Sequence, residues 1–260
     1  MALRPSLRLA LAQLPSPARN IADAFAEVER TLRTASAAGA QMAVMPELFL
    51  PGYNSDSIPA LAQPRDGNWL ARLADMCRAH ACGLTIGYAE RDGAQLFNAA
   101  ASIGPDGAVL AQYRKIQCFG PREARLFTPG DSYASFAFAG RQIGLLICYD
   151  VEFEAHVRAL ASAGADLILV PTANMEPFRQ VATHVVPAHA ANLGTTIAYA
   201  NYCGTEGDLT YCGGSIIAAP RGQILASVGQ SPTILIADLP ETPPPHDFAP
   251  HLQGLRQLPH

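Results

Sequence analysis

Short apolar runs alternate with stretches of helical periodicity, and this alternation limits the possible folds more than any other feature of the chain. ADLILVP at 165–171 has no polar residue after Asp166, so a strand built from it needs cover on both faces, as inside an α/β sheet. QMAVMPE at 41–47 and RQIGLLIC at 141–148 are runs of the same kind. LRLALAQL at 7–14 reads as a strand, and Ile21, Phe25, Val28 and Leu32 then recur at helical spacing until Gly39. Trp69, Leu73 and Cys77 mark a second helix, and 82–90, 95–103 and 108–114 read as three antiparallel neighbours. A loop to Asp131, a hairpin of 133–138 with 142–148, and a helix with Phe153, Val157 and Leu160 on its apolar face follow. A helix over 178–192, bent or shortened at Pro187, precedes strands at 195–203, 215–220, 224–229 and 233–239. The helices are too few to cover both faces of a purely parallel sheet, so the pattern predicts a mixed α/β sandwich.

With 260 residues and no internal repeat or linker, the chain reads as one domain over 1–240 followed by a Pro-rich arm over 241–260. Only 15% of residues are charged, well below the ~25% of an average soluble protein, which predicts an apolar face covered in a homodimer or higher homo-oligomer. The net charge of −4 and the scattered arginines leave no stripe for nucleic acid. No apolar stretch approaches the ~20 residues of a membrane span, and Arg8 interrupts what would be the apolar core of a leader. Six cysteines without a CxxC pair predict reduced thiols and a cytoplasmic protein. No HExxH, Walker loop or GxGxxG is present, and His184 and His189 do not share a helix face, so neither a metal nor a cofactor is expected.

Lys115 is the only lysine beside 17 arginines; a compact ammonium there supplies a point charge that a guanidinium cannot. Cys148 ends an apolar strand where a helix begins, with Asp150 as its N-cap, an elbow in which the helix N-terminus favours a thiolate. None of the seven histidines has the context of a base for it. Glu47, at the end of another apolar strand, is the candidate base if burial lifts its pKa.

MPELFLPGYN, YRKIQCFGPREARLFTPGD and LLICYDVEFEAHVRALASAGADLILVPTANM, in this order, resemble the nitrilase superfamily of carbon–nitrogen hydrolases over residues 7–239. The resemblance implies a four-layer αββα sandwich and a catalytic triad of Glu47, Lys115 and Cys148, with Glu123 matching a second family glutamate. Glu47 would act as proton carrier, and Lys115 with the Tyr149 N–H would stabilise the oxyanion. Tyr53, Tyr149, Glu152, Asn174 and Glu206 are the implied substrate-binding candidates.

ICYDVEF, VPTANM and ANYCGTEGDLTYCGGS look most like the aliphatic amidase and 5-aminopentanamidase branch. The expected function is hydrolysis of a small aliphatic amide, with an ω-amino amide as one substrate whose amine a carboxylate among Asp150, Glu152, Glu206 and Asp208 would meet. An N-carbamoyl amidohydrolase or nitrilase of the same fold is the alternative, and a catalytically silent binding module is the reading from another class. The sequence departs from the family pattern at Gln117, Cys118, Glu154, His189, Asn192 and Leu193.

Overall fold

The computed structural model describes residues 6–241 except Arg19, together with Asp247 and Ala249. The arm expected over 241–260 lies almost entirely outside the described residues. In chain order the elements are β1 (Leu7–Gln13), α1 (Ile21–Ala37), β2 (Met42–Val44), α2 (Ile58–Leu61), α3 (Asn68–His80), β3 (Gly83–Asp92), β4 (Gln95–Ile103) and β5 (Val109–Arg114). They continue as α4 (Gly120–Leu126), β6 (Ala134–Phe138), β7 (Arg141–Leu145), α5 (Glu154–Ser162), β8 (Leu167–Pro171), α6 (Val186–Leu193), β9 (Thr196–Ala200), β10 (Cys203–Glu206), β11 (Leu209–Cys212), β12 (Ile216–Ala218), β13 (Ile224–Ser227) and β14 (Thr233–Leu239).

Two six-stranded sheets, β14-β1-β2-β3-β4-β5 and β13-β12-β9-β8-β7-β6, lie face to face. Each has three parallel strands at its centre, β1-β2-β3 in one and β7-β8-β9 in the other, flanked by antiparallel strands. The period-2 alternation of β1 decides what each face meets. Leu7, Leu9 and Leu11 join the cluster that runs between the sheets and on to α5 and α6, whereas Ala10 and Ala12 face the side of α1 and α3. The layers are therefore helices, sheet, sheet, helices, as the resemblance implies.

Three local readings change. The segment read as a loop before Asp131 contains α4, seven residues with Pro121 in the first turn, too short for a periodicity signal. Pro187 bends nothing, because a π-turn over Val181–Val185 precedes it and α6 begins at Val186, where a missing N–H costs little. The stretch around 203–212 is a hairpin of its own, β10 with β11.

Candidate active site

The site lies where strands from both sheets end. Glu47 follows β2, Lys115 follows β5, and Cys148 follows β7 by three residues. Two of these exits turn through left-handed backbone: Leu48, next to Glu47, has φ 46° and Cys148 has φ 45°. Neither is glycine, so each turn costs about 1–2 kcal/mol that surrounding contacts must offset. The Glu47–Leu48 backbone is seated on Gly87 of β3, where a Cβ would lie 2.3 Å from the Leu48 nitrogen and 2.5 Å from the Glu47 Cα. Glu47 also donates its N–H to the Thr172 carbonyl at the end of β8, tying the two sheets together at the site (3.3 Å).

Lys115 is 1% exposed and lies between two buried carboxylates. Its Nζ donates to Glu47 Oε1 at 2.6 Å and to Glu123 Oε1 at 2.9 Å. Asn98 of β4 also donates to Glu47 Oε1 (2.6 Å), while the other oxygen, Oε2, is buried and receives no hydrogen bond from any described residue. Glu123, carried by α4, is held by the Tyr53 hydroxyl (2.6 Å) and the Phe119 N–H (2.9 Å). Burial lifts the Glu47 carboxyl to about 7; Lys115 pulls it down and Glu123 pushes it up. Burial works against the Lys115 ammonium, but the two carboxylates outweigh it and hold its pKa well above the ordinary lysine range.

Cys148 starts a 3₁₀ turn over Cys148–Glu152, and the α-helix begins only at Glu154. That changes two expectations. Asp150 is not an N-cap ahead of a helix. It lies inside the turn and accepts the N–H groups of Ile147 (3.0 Å) and Gln117 (2.7 Å) and the Tyr113 hydroxyl (2.8 Å), so its carboxylate shapes the elbow and does not face the cavity. Nor does a helix dipole make Cys148 a resting thiolate. Burial drives the thiol well above the usual range and Glu47 pushes the same way, against Lys115 and the Ala173 N–H. A group in this position needs a base to lose its proton, and Glu47 is the carboxylate whose charge acts on it most strongly.

A narrow cavity opens over Cys148. Tyr53, Tyr149, Glu152 and Asn174, all foreseen from the sequence, line it; so do Phe119, Met175 and Phe178, which were not. Phe119 packs edge-on against both Tyr149 (5.2 Å between centroids) and Phe178 (5.7 Å), forming an aromatic rim. Asn174 is fixed by its backbone N–H to Asn201 Oδ1 (2.8 Å) and its side-chain amide to the Phe178 carbonyl (2.9 Å).

Glu206 stands elsewhere: its carboxylate is buried in the β10–β11 hairpin, takes the Tyr211 hydroxyl at 2.5 Å, and does not line the cavity. Asp208 accepts from Asn54 (2.8 Å) in an outer vestibule. Asn98 was also missed, although a lone Asn within the apolar strand QLFNAAASI was a usable signal.

The departures from the family pattern all lie outside the Glu47–Lys115–Cys148 cluster. Gln117 bonds through its side chain to His156 Nε2 (3.0 Å), and Glu154 pairs with Arg158 one turn on. Half-buried Cys118 points its thiol at the Phe127 carbonyl (3.9 Å). His189 donates from Nδ1 to the Val151 carbonyl (2.9 Å), Asn192 is exposed, and Leu193 is core. Among the described residues no group of three or more His, Cys, Asp or Glu side chains is placed to hold a metal, and no helix is long and apolar enough to cross a membrane.

The family model described as carbon-nitrogen hydrolase matches residues 8–242. A protein of Pseudomonas protegens named hydrolase in pqqF 5'region is 39% identical, covering 90% of this chain and 83% of its own. An (R)-stereoselective amidase of Pseudomonas sp. is 31% identical over 84% of this chain and 80% of its own. Among solved structures, an amidase from Nesterenkonia sp. superposes with a TM-score of 0.88 at 36% identity, covering 96% of this chain and 93% of that one. In a mutant of that amidase, the acetamide moiety of fluoroacetamide is joined covalently to the active-site cysteine.

Proposed function

The chain belongs to the carbon–nitrogen hydrolase family, and from that premise we propose that it hydrolyses small aliphatic amides to a carboxylic acid and ammonia through a Cys148 thioester. The observation that carries this reading is a buried Lys115 between Glu47 and Glu123, together with a cysteine held in left-handed backbone that lines the cavity. The covalent adduct of the Nesterenkonia amidase supports the same role for Cys148.

In this mechanism the Cys148 sulfur attacks the amide carbonyl as its proton passes to Glu47. The oxyanion of the tetrahedral intermediate is stabilised by Lys115 and the Tyr149 N–H. Collapse breaks the carbon–nitrogen bond, and Glu47 returns the proton to the leaving ammonia. A water then attacks the thioester with Glu47 as base, releasing the acid and restoring the thiol. Glu123 and Tyr53 hold Lys115 in place through the bonds described. The narrowness of the cavity over Cys148 favours a short acyl chain, and ω-amino amides are among the candidates. The low charged fraction, with Tyr133 and Phe153 exposed near α5, supports a homodimer or higher oligomer, and the six cysteines without a CxxC pair fit a cytoplasmic protein.

The test is ammonia release from short aliphatic amides, 5-aminopentanamide, carbamoyl amino acids and nitriles, with Cys148→Ala as control. Turnover of amides that disappears in the variant is the expected result. Carbon dioxide from carbamoyl substrates, or turnover confined to nitriles, replaces the reading with the corresponding sister activity. A wild-type protein silent on all of them refutes it in favour of a binding module.

A further inference from the structure

The carboxylates around the nucleophile differ in one respect. Glu47, Glu123 and Asp150 are each held by two or more hydrogen bonds from neighbouring side chains or backbone. Glu152 lines the cavity with Cys148, is only partly buried, and no described residue donates a hydrogen bond to it. A half-buried carboxylate in such a place, with no protein donor, is open to a donor brought by the substrate.

We infer that Glu152 is the specificity residue of this site and selects amides whose far end carries an ammonium over amides of the same length ending in a carboxylate. The inference rests on the amidase reading above. Three further features agree with it. No Lys, Arg or His lines the cavity among the described residues, and Lys115, the nearest cation, is engaged by Glu47 and Glu123. The rings of Tyr53, Phe119, Tyr149 and Phe178 offer faces that attract a cation and give nothing to an anion. Cys148 and Glu152 are the first and last residues of one 3₁₀ turn and both line the cavity, so the nucleophile and the carboxylate are fixed by the same short segment. Burial raises the Glu152 carboxyl, with Lys115 acting against the rise, and a bound ammonium adds a second charge holding it ionised.

Arginines stand farther out. Arg122 is fixed by the carbonyls of Tyr53 (2.7 Å) and Ser55 (3.2 Å), whereas Arg125 is exposed in the vestibule.

The experiment compares kcat/KM for 5-aminopentanamide, pentanamide and 5-amino-5-oxopentanoate in the wild type and in Glu152→Gln. In the wild type the order expected is ammonium, neutral, carboxylate. In the variant the ratio of 5-aminopentanamide to pentanamide falls by about ten- to a hundredfold, the loss of one charge-assisted contact. An unchanged ratio, or a wild type that prefers the carboxylate, overturns the inference while leaving the amidase reading standing; a wild type inert toward pentanamide and 5-aminopentanamide alike removes both. Should the variant not fold, inhibition of the wild type by butylammonium and by butyrate decides. Competitive inhibition by the amine alone is expected, and equal inhibition by both overturns the inference.

Discussion

Gly87→Ala tests whether the close seating of the Glu47–Leu48 backbone on β3 sets the catalytic geometry. The added Cβ would stand 2.3 Å from the Leu48 nitrogen, 2.5 Å from the Glu47 Cα and 2.7 Å from its carbonyl carbon, so all three nearest atoms are backbone and no side chain can swing aside. Restoring ordinary contact requires the Glu47–Leu48 peptide to retreat by roughly 1 Å, a misplacement that costs about 10²-fold in rate at a reacting centre. The pair it disturbs is the Lys115–Glu47 contact of 2.6 Å. Overpacking of this kind also destabilises by about 1–3 kcal/mol, a fall in Tm of roughly 2–12 °C for a domain of this size. Gly83→Ala is the control. Its Cβ would meet the Ile103 carbonyl at 3.0 Å and the Met42 Cε at 3.1 Å, far along the strand from the site, so it is expected to lower Tm without lowering kcat. Steady-state ammonia release per folded enzyme, with a thermal melt of each variant, separates the two effects. If Gly87→Ala loses less than about threefold in kcat while its Tm falls, the strand yields instead of the loop and the reasoning is refuted.

With the Glu47 carboxyl lifted to about 7 and required as the base, kcat/KM should fall as pH drops through that value. Asn98→Ala removes a donor that favours the carboxylate, so the acid limb should move up by about one unit; a limb that stays or moves down contradicts the assignment. Lys115→Arg keeps the charge but places a broader, planar group between two carboxylates in a site 1% exposed, and turnover should fall by about 10²-fold or more with circular dichroism unchanged. Asp150→Ala leaves the Tyr113 hydroxyl and the N–H groups of Ile147 and Gln117 without their acceptor, so a chemical melt should show a loss of about 3 kcal/mol or more. Iodoacetamide modification of Cys148, followed by peptide mass, should rise with pH through an inflection near 7 that Glu47→Gln abolishes; an inflection only in the ordinary thiol range, near ~9, would show the two groups to be independent.

Much of this architecture was legible because burial imposes a simple code on strands. ADLILVP and RQIGLLIC admit no exposed face, and the split of Leu7, Leu9 and Leu11 from Ala10 and Ala12 follows from period two alone. Glu47, Lys115 and Cys148 stood out because each follows a strand and because Lys115 has no second lysine to hide among. What stayed hidden depends on contacts far apart in sequence. α4 is seven residues long, so nothing periodic announces the helix that carries Glu123. The Glu206 carboxylate was placed by motif near the substrate, yet the pairing of β10 with β11 turns it toward Tyr211. The aromatic rim comes from Phe119, Tyr149 and Phe178, which meet only after three loops converge.

The thiol is the most instructive case, because local reasoning there gave the wrong direction. A helix N-terminus favours a thiolate by a fraction of a charge, but the helix starts after Cys148, and burial beside Glu47 acts the other way. The two raised groups make sense together. Ionising Cys148 beside an ionised Glu47 would add a further negative charge to a largely buried cluster, whereas moving the thiol proton onto Glu47 Oε2 leaves the net charge as it was. The oxyanion that follows again carries a single charge, now within reach of Lys115, so neither step forces the buried site to accept charge from solvent. A resting thiolate would be a permanent cost beside these carboxylates; a thiol and a carboxyl poised near 7 postpone the charge until an amide is there to receive it.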